Sequence, residues 1–215
     1  MDAPGPKRKG ADLREEEIVR YSRSIILPEV GIEGQGRLRS SGALVVGAGG
    51  VGSAPLLYLA AAGLGRIGIA DPDTVEISNL QRQIVHSAAD AGRAKVESAA
   101  DRIRSLNPWC DVATFRERVV ASNVRALLRG YDVVLDGSDN FPTRYLVADC
   151  CWLERIPLVS ASAVRFHGQL FAVTPAEGFP CHRCLLPEPP SGDAAESCRR
   201  SGVFPPVVGV MGALQ

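Results

Sequence analysis

Residues 43–71, ALVVGAGGVGSAPLLYLAAAGLGRIGIAD, restrict the fold more than any other stretch of the chain. An apolar run, a glycine cluster, an apolar run of helical length and a second short apolar run follow in order. That is the pattern of strand, tight turn, helix and parallel strand. The short runs do not alternate with polar residues, as expected of strands covered on both faces. Pro55 is expected in the first turn of the helix, where its missing N–H has no intrahelical partner. The same rhythm continues downstream. A helix over AGRAKVESAADRIRSLNP stops before Pro108, and DVATFRERV reads as a strand near a sheet edge. SNVRALLRG is a helix with Ser122 as its cap and Gly130 at its end. YDVVLD and IPLVSA return to the sheet, with a helix over about 142–154 between them. The chain is therefore α/β, with a mainly parallel sheet between helical layers.

The ends differ from this middle. Residues 1–12 read as a flexible tail, and one domain fills 13–215. A short helix is expected from Leu13 to Tyr21 and another near 34–40. The nucleotide-binding core lies at about 41–162. A crossover region at about 163–206 opens with a hairpin turned at Gly168 and continues as an irregular segment from Pro175 to Pro206. A C-terminal helix begins near Val207 and runs to 215. Two turns of isolated helix are marginal, so its apolar face is expected to lie exposed, and the chain to be shorter than the unit its pattern implies.

Glycine lets a backbone approach a ligand closely, and the first turn of a helix offers unpaired N–H groups to an anion. Gly47, Gly49, Gly50 and Gly52 lie between strand and helix and mark a nucleotide site, and Asp71 ends the next strand where a carboxylate meets a ribose hydroxyl pair. The segment DPDTVEISNLQRQIVH then adds Asp73, Asn79, Arg82 and Gln83, and Lys95 opens the following helix. In a parallel sheet all of these lie outside the carboxyl ends of the strands. Arg82 offers a planar fork to phosphate oxygens and Lys95 a mobile point charge. Two cations and an amide fit a triphosphate better than the pyrophosphate of NAD.

The segment VLDGSDNFPTR ends another strand on Asp136, with Asp139 three residues on and Arg144 a helical turn later. Asp139 is placed to hold Mg²⁺ between protein and phosphates, since that ion takes one or two protein carboxylates and completes its shell with water and phosphate. Capping of the following helix is the alternative use. Asp136 reads as a strand-end or capping residue. His86 and His167 are structural.

Composition narrows the partners. Lys plus Arg and Asp plus Glu both number 24, so no net field draws the chain to nucleic acid or to an anionic membrane. No run reaches the roughly 18 apolar residues of a membrane span. Cysteines at 110, 150, 151, 181, 184 and 198, without a secretory leader, point to a reducing, cytoplasmic setting. Cys181 and Cys184 alone have metal-ligand spacing, half of a tetrahedral thiolate zinc site.

The ordered series RYSRSIILPEVGIEGQGRL, GAGGVGS, DPDTVEISNLQRQ, KVESA, DGSDN, CHRC and CRRSGVFPPVVGVMGALQ resembles the E1-like adenylyltransferases that activate ubiquitin-like sulfur-carrier proteins for molybdopterin or thiamine biosynthesis. It covers about residue 14 to 215. The resemblance implies a Rossmann-like three-layer αβα fold, a homodimer, and ATP-dependent adenylylation of the carrier's C-terminal glycine. It puts Asp71 on the ribose, Asn79, Arg82 and Lys95 on the phosphates, Gln83 among the nucleotide-site residues, Mg²⁺ on Asp139, and Arg23 on the phosphates of the neighbouring subunit. The carrier's carboxylate is itself the nucleophile, so no general-base histidine is expected. A second CxxC pair completes the zinc site in that family, and no such pair occurs up to Gln215. Cys198, beside Arg199 and Arg200, matches a cysteine used for sulfur transfer in the thiamine branch, where a persulfide-bearing donor protein would be a further partner. An unreactive loop cysteine is the alternative. Two other functions stay open: an NAD-dependent oxidoreductase, and a carrier-binding protein without turnover.

Overall fold

The computed structural model describes residues 12–176, 178–189 and 201–215. Its strands are β1 (Gly42–Val46), β2 (Arg66–Ala70), β3 (Asp111–Phe115), β4 (Val133–Asp136), β5 (Leu158–Val164) and β6 (His167–Val173). They form one sheet in the order β3-β2-β1-β4-β5-β6, parallel except for the β5–β6 hairpin. The helices are α1 (Glu15–Arg20), α2 (Ser22–Ile25), α3 (Gly31–Arg39), α4 (Gly50–Ala62), α5 (Lys95–Leu106), α6 (Val124–Leu128), α7 (Phe141–Glu154), α8 (His182–Leu185) and α9 (Pro205–Leu214).

Alternation along β1 explains why its run is wholly apolar, since successive side chains point to opposite faces. Ala43 and Val45 join Ile67 and Ile69 beneath α4 and α5, packed on Leu56, Ala60, Val96 and Ile103. Leu44 and Val46 face the other way, toward Leu127 and Leu128 of α6 and Val147 and Cys151 of α7. The molecule is thus a three-layer αβα unit, Rossmann-like, as expected from the sequence. β3 lies at the sheet edge, which suits its half-buried residues.

Four local expectations are corrected. Pro55 is the sixth residue of α4, past the first turn. The cap of α6 is Asn123 rather than Ser122. The β5–β6 hairpin turns at Arg165 and Phe166, with Val164 paired to His167. Gly168 belongs to β6, where a side chain would overlap Met211. The last helix begins at Pro205, with proline in its first turn, and it docks rather than standing free. Val208 and Met211 are buried against Val51 of α4 and Ala161 and Ala163 of β5, while Val210 and Leu214 stay exposed.

The register aligns the strand ends. Val46 pairs with Ala70 on one side and with Asp136 on the other. After β1 the chain builds the sheet outward through β2 and β3; after β4 it builds in the opposite direction. The crevice outside the carboxyl ends of β1 and β4 is therefore the switch point where ligands bind in sheets of this kind.

Candidate active site

The glycine turn forms one wall of this crevice. Gly47 has φ +95°, a left-handed conformation that disfavours side chains, and a Cβ there would lie 3.0 Å from the Gly137 carbonyl oxygen. The β1–α4 turn is thus packed directly on the β4–α7 loop. A side chain at Gly52 would overlap the Gly47 carbonyl, so the turn closes tightly. Gly49 is the N-cap of α4, and the first N–H groups of that helix face the crevice mouth.

Asp71, at the end of β2, stabilises the turn. It is buried, its Oδ2 accepts from Ala48 N at 2.8 Å, and its Oδ1 accepts from Asp73 N at 2.8 Å. Burial pushes its carboxyl pKa up, against the pull of the Lys95 charge and these N–H bonds. A carboxylate has about four acceptor sites, and these two bonds use two of them. His86 braces the same turn from below: Nε2 donates to the Ala48 carbonyl at 2.9 Å, and Nδ1 pairs with Ser98 Oγ at 2.8 Å.

Lys95 opens α5. Its side chain is only 7% exposed, with Nζ 3.2 Å from Asp73 Oδ2, and its N–H donates to the Asp73 carbonyl at 3.0 Å. Asp73 is therefore the partner of the cation. A short 3₁₀ turn over Ile77–Asn79 carries the next group of residues. The N–H groups of Arg82 and Gln83 both donate to the Asn79 carbonyl, at 3.1 and 3.0 Å. The Arg82 stem lies over Gly50, within 3.3 Å of where a Cβ would stand. Gln83 is buried beside Gly49, and its Oε1 has no hydrogen-bond partner. An unpaired buried amide oxygen costs stability unless a ligand or water completes it.

Across the crevice, Asn140 settles the use of the VLDGSDN segment. Its Oδ1 accepts from Thr143 N at 2.9 Å, so Asn140 caps α7 and the capping alternative for Asp139 is set aside. Asp139 is exposed on the loop between Ser138 and Asn140, two residues from the Gly137 contact with the glycine turn. Asp136 is fully buried; its Oδ1 accepts from Ser138 N at 3.0 Å and its Oδ2 from Ser160 Oγ at 2.9 Å. Arg144, noted in the sequence without a role, is also buried here. Its sequence signal is a lone cation in the first turn of a helix whose other charges, Asp149 and Glu154, are acidic.

The loops and helix starts outside these strand ends therefore carry Gly47, Gly49, Gly50, Gly52, Asp71, Asp73, Asn79, Arg82, Gln83, Lys95 and Asp139, with the Asn79 and Arg82 side chains bonded to Ser78. Arg23 lies elsewhere. It is exposed on α2, and its neighbour Tyr21 packs on Gly63, at the end of α4 opposite the glycine turn. Thirteen helical residues span about 20 Å, farther than an arginine reaches within its own chain.

Cys181 and Cys184 sit at the start of α8 with sulfurs 3.5 Å apart. Burial pushes the Cys181 thiol up, but hydrogen bonds from Cys184 and neighbouring backbone N–H groups outweigh it and lower its pKa. His182 between them is buried between Phe171 and Tyr145, at centroid distances of 4.8 and 4.6 Å, and Arg183 grips Asp149 through two bonds of 2.8 and 2.7 Å. Among the described residues no group of three or more His, Cys, Asp or Glu side chains is arranged to hold a metal. Cys198 lies outside the described residues. No helix among the described residues is long and apolar enough to cross a membrane.

The chain is 51% identical over 213 residues to bovine (Bos taurus) adenylyltransferase and sulfurtransferase MOCS3, covering 99% of this chain and 46% of that protein. It thus spans about half the length of the curated relatives it matches. Among solved structures, the ATP complex of E. coli tRNA N6-threonylcarbamoyladenosine dehydratase, TcdA, is 32% identical with a TM-score of 0.66, covering 70% of this chain and 61% of that one. The ATP complex of E. coli MccB shares the fold at a TM-score of 0.75 and 23% identity, over 91% of this chain and 60% of that one. The ThiF family model matches residues 21–215, and the chain belongs to the ThiF family.

Proposed function

We propose that this protein uses ATP to adenylylate the C-terminal glycine of a small ubiquitin-like sulfur-carrier protein, in molybdopterin, thiamine or a related thiolation pathway. The observation that carries the proposal is the convergence of the glycine turn, Asp71, Arg82, Lys95 and Asp139 on one crevice at the β1–β4 switch point. The name of the bovine relative, an adenylyltransferase and sulfurtransferase, supports it.

In this reading the glycine turn and the first turn of α4 cradle the nucleotide, and Asp71 takes the ribose. Asn79, Arg82 and Lys95 surround the phosphates, and Gln83 lies among the nucleotide-site residues. Lys95 is held by Asp73 at 3.2 Å, a contact a phosphate oxygen can share. The carrier carboxylate attacks the α-phosphorus, the bond from that phosphorus to the bridging oxygen breaks, and pyrophosphate leaves with the electron pair. No proton has to be removed from the nucleophile, so the chain's contribution is alignment and charge stabilisation. The exposed Asp139 carboxylate would suit Mg²⁺, which takes one or two protein carboxylates and completes its shell with phosphate and water; among the described residues no group of three or more His, Cys, Asp or Glu forms an all-protein cage. The ion would neutralise developing phosphate charge.

Arg23 completes the site from the partner in a homodimer. Cys181 and Cys184 would supply two of four thiolates to a structural zinc ion in a longer chain. Cys198 would take part in sulfur transfer from a persulfide donor. The test of the core proposal is carrier-dependent exchange of labelled pyrophosphate into ATP, with candidate ubiquitin-like carriers and Mg²⁺. Exchange together with an AMP adduct on the carrier by intact mass is expected. Saturable NADH binding without exchange would overturn it.

A further inference from the structure

The loop that carries Asp139 is pinned on both sides of that residue, and one of the pins is unexplained by nucleotide binding. Ser138 donates its N–H to Asp136 Oδ1 at 3.0 Å, and its carbonyl accepts from Arg144 Nη2 at 2.8 Å. Asn140 is fixed as the cap of α7. Asp139 lies between these two anchored residues and is itself exposed, its Oδ1 accepting from Asn140 Nδ2 at 3.4 Å.

Arg144 is an expensive way to hold a carbonyl. Its side chain is 8% exposed, and its Nε stands 3.6 Å from Asp136 Oδ2, an ion-pair distance beyond hydrogen-bond reach. That Nε has no hydrogen-bond partner. Asp136 is fully buried, so the cation offsets a carboxylate that would otherwise lie uncompensated. The guanidinium also lies over the Phe141 ring, 5.6 Å from its centroid. Only a planar fork faces Asp136 with one edge while donating to the Ser138 carbonyl with another; a lysine ammonium is a single point. The adjacent Gly137 carbonyl abuts Gly47, so a shift of Ser138 would be felt in the glycine turn.

We infer that Arg144 is a positioning residue: by clamping Ser138 against Asp136 it sets the Asp139 carboxylate at the crevice, where that carboxylate meets the metal–phosphate group. This inference rests on the metal role given to Asp139 above.

The test compares Arg144→Lys and Asp139→Asn with the wild-type protein, using Mn²⁺ as the probe and a non-hydrolysable ATP analogue. Three quantities are read: analogue affinity without metal, Mn²⁺ affinity of the analogue complex by electron paramagnetic resonance, and amide hydrogen exchange over residues 137–140. For Arg144→Lys the expectation is metal-free analogue affinity within about threefold of wild type and Mn²⁺ binding at least about tenfold weaker, with faster exchange at Ser138. Wild-type Mn²⁺ affinity in Arg144→Lys overturns the clamp, as does an equal loss of metal-free and metal-dependent binding, which marks mere structural damage. If Asp139→Asn loses Mn²⁺ and Arg144→Lys does not, the clamp alone fails. If Asp139→Asn keeps Mn²⁺, the metal reading of the crevice fails and the clamp with it. Should Arg144→Lys not fold, the wild-type protein still decides: a Ser138 amide exchanging as fast as an exposed loop overturns the inference.

Discussion

Single residues at the crevice show how far a sequence pattern can be trusted. Asp139 and Asn140 are adjacent and both favoured as helix caps, and only the three-dimensional path assigns the cap to Asn140 and leaves Asp139 on the loop. Arg144 was illegible for a related reason, since nothing local tells a solvated arginine from one folded under its own helix start. His86 was legible as structural, and its environment yields a prediction. Its Nε2 faces a carbonyl, so that nitrogen carries the proton and Nδ1 accepts from Ser98. Burial lowers its pKa from the ordinary value of about 6.5. A histidine depressed in the folded state binds fewer protons than in the unfolded chain, so stability is full above about 6.5 and falls as pH drops toward the folded value. His182 is shifted in the same direction, again by burial, and adds to the loss. His86→Gln should be less stable at pH 7 by about 1–2 kcal/mol through its lost hydrogen bonds, yet lose less on acidification. Urea midpoints measured from pH 8 to 5 should therefore converge. Asp71, whose raised pKa acts oppositely, is present in both proteins, so the difference reports the histidine together with its charge coupling to Asp71. Parallel curves would mean that His86 is not held neutral.

At the scale of elements, periodicity located the strands and most helices because each has one simple reason to be apolar, burial on the sheet. It failed where a residue serves a contact made far along the chain. Gly168 resembles a turn residue but makes room for Met211. Pro55, in the body of α4, removes the N–H that would pair with the Val51 carbonyl. Gly212 of α9 packs its backbone on that same carbonyl, and a side chain there would overlap it. Four positions further toward its start, α9 places Val208 against Gly50, the first residue of α4 and part of the nucleotide turn. The helix that looked marginal from its length is therefore a brace for the cradle. Gly212→Val should lift α9 from α4 and cost about 1–3 kcal/mol, the usual penalty of overpacking. It should also weaken ATP binding, although residue 212 lies outside the crevice. Urea unfolding alongside nucleotide titration checks both. A destabilised protein with unchanged ATP affinity would show that α9 supports the fold without supporting the turn.

The amino-terminal helices pack at the end of α4 opposite the glycine turn. Tyr21 seats its ring on Gly63 and accepts from Asn107 Nδ2 at 2.8 Å, Gln35 Nε2 donates to the Ala62 carbonyl at 2.7 Å, and buried Glu17 pairs with Arg39 at 2.8 Å. These contacts tie α1 to α3 to the far end of α4, so they hold Arg23 away from Arg82 by about the length of that helix. The same platform exposes Val19 by 76% and Ile26 by 68%, apolar surface of the kind a partner covers. In the proposed homodimer, Arg23 serves the other subunit's crevice or serves none. Arg23→Ala and Arg82→Ala should each abolish adenylylation. Mixed and allowed to exchange subunits at random, half of the dimers pair one variant with the other, and each such dimer has one crevice with both arginines and one with neither. Activity should then return to about one quarter of wild type. If Arg23 instead acted on its own chain, every site in every mixed dimer would lack one of the two cations, and no activity would return. Native mass spectrometry verifies the mixed dimers, so silence from a verified mixture would rule out a shared site.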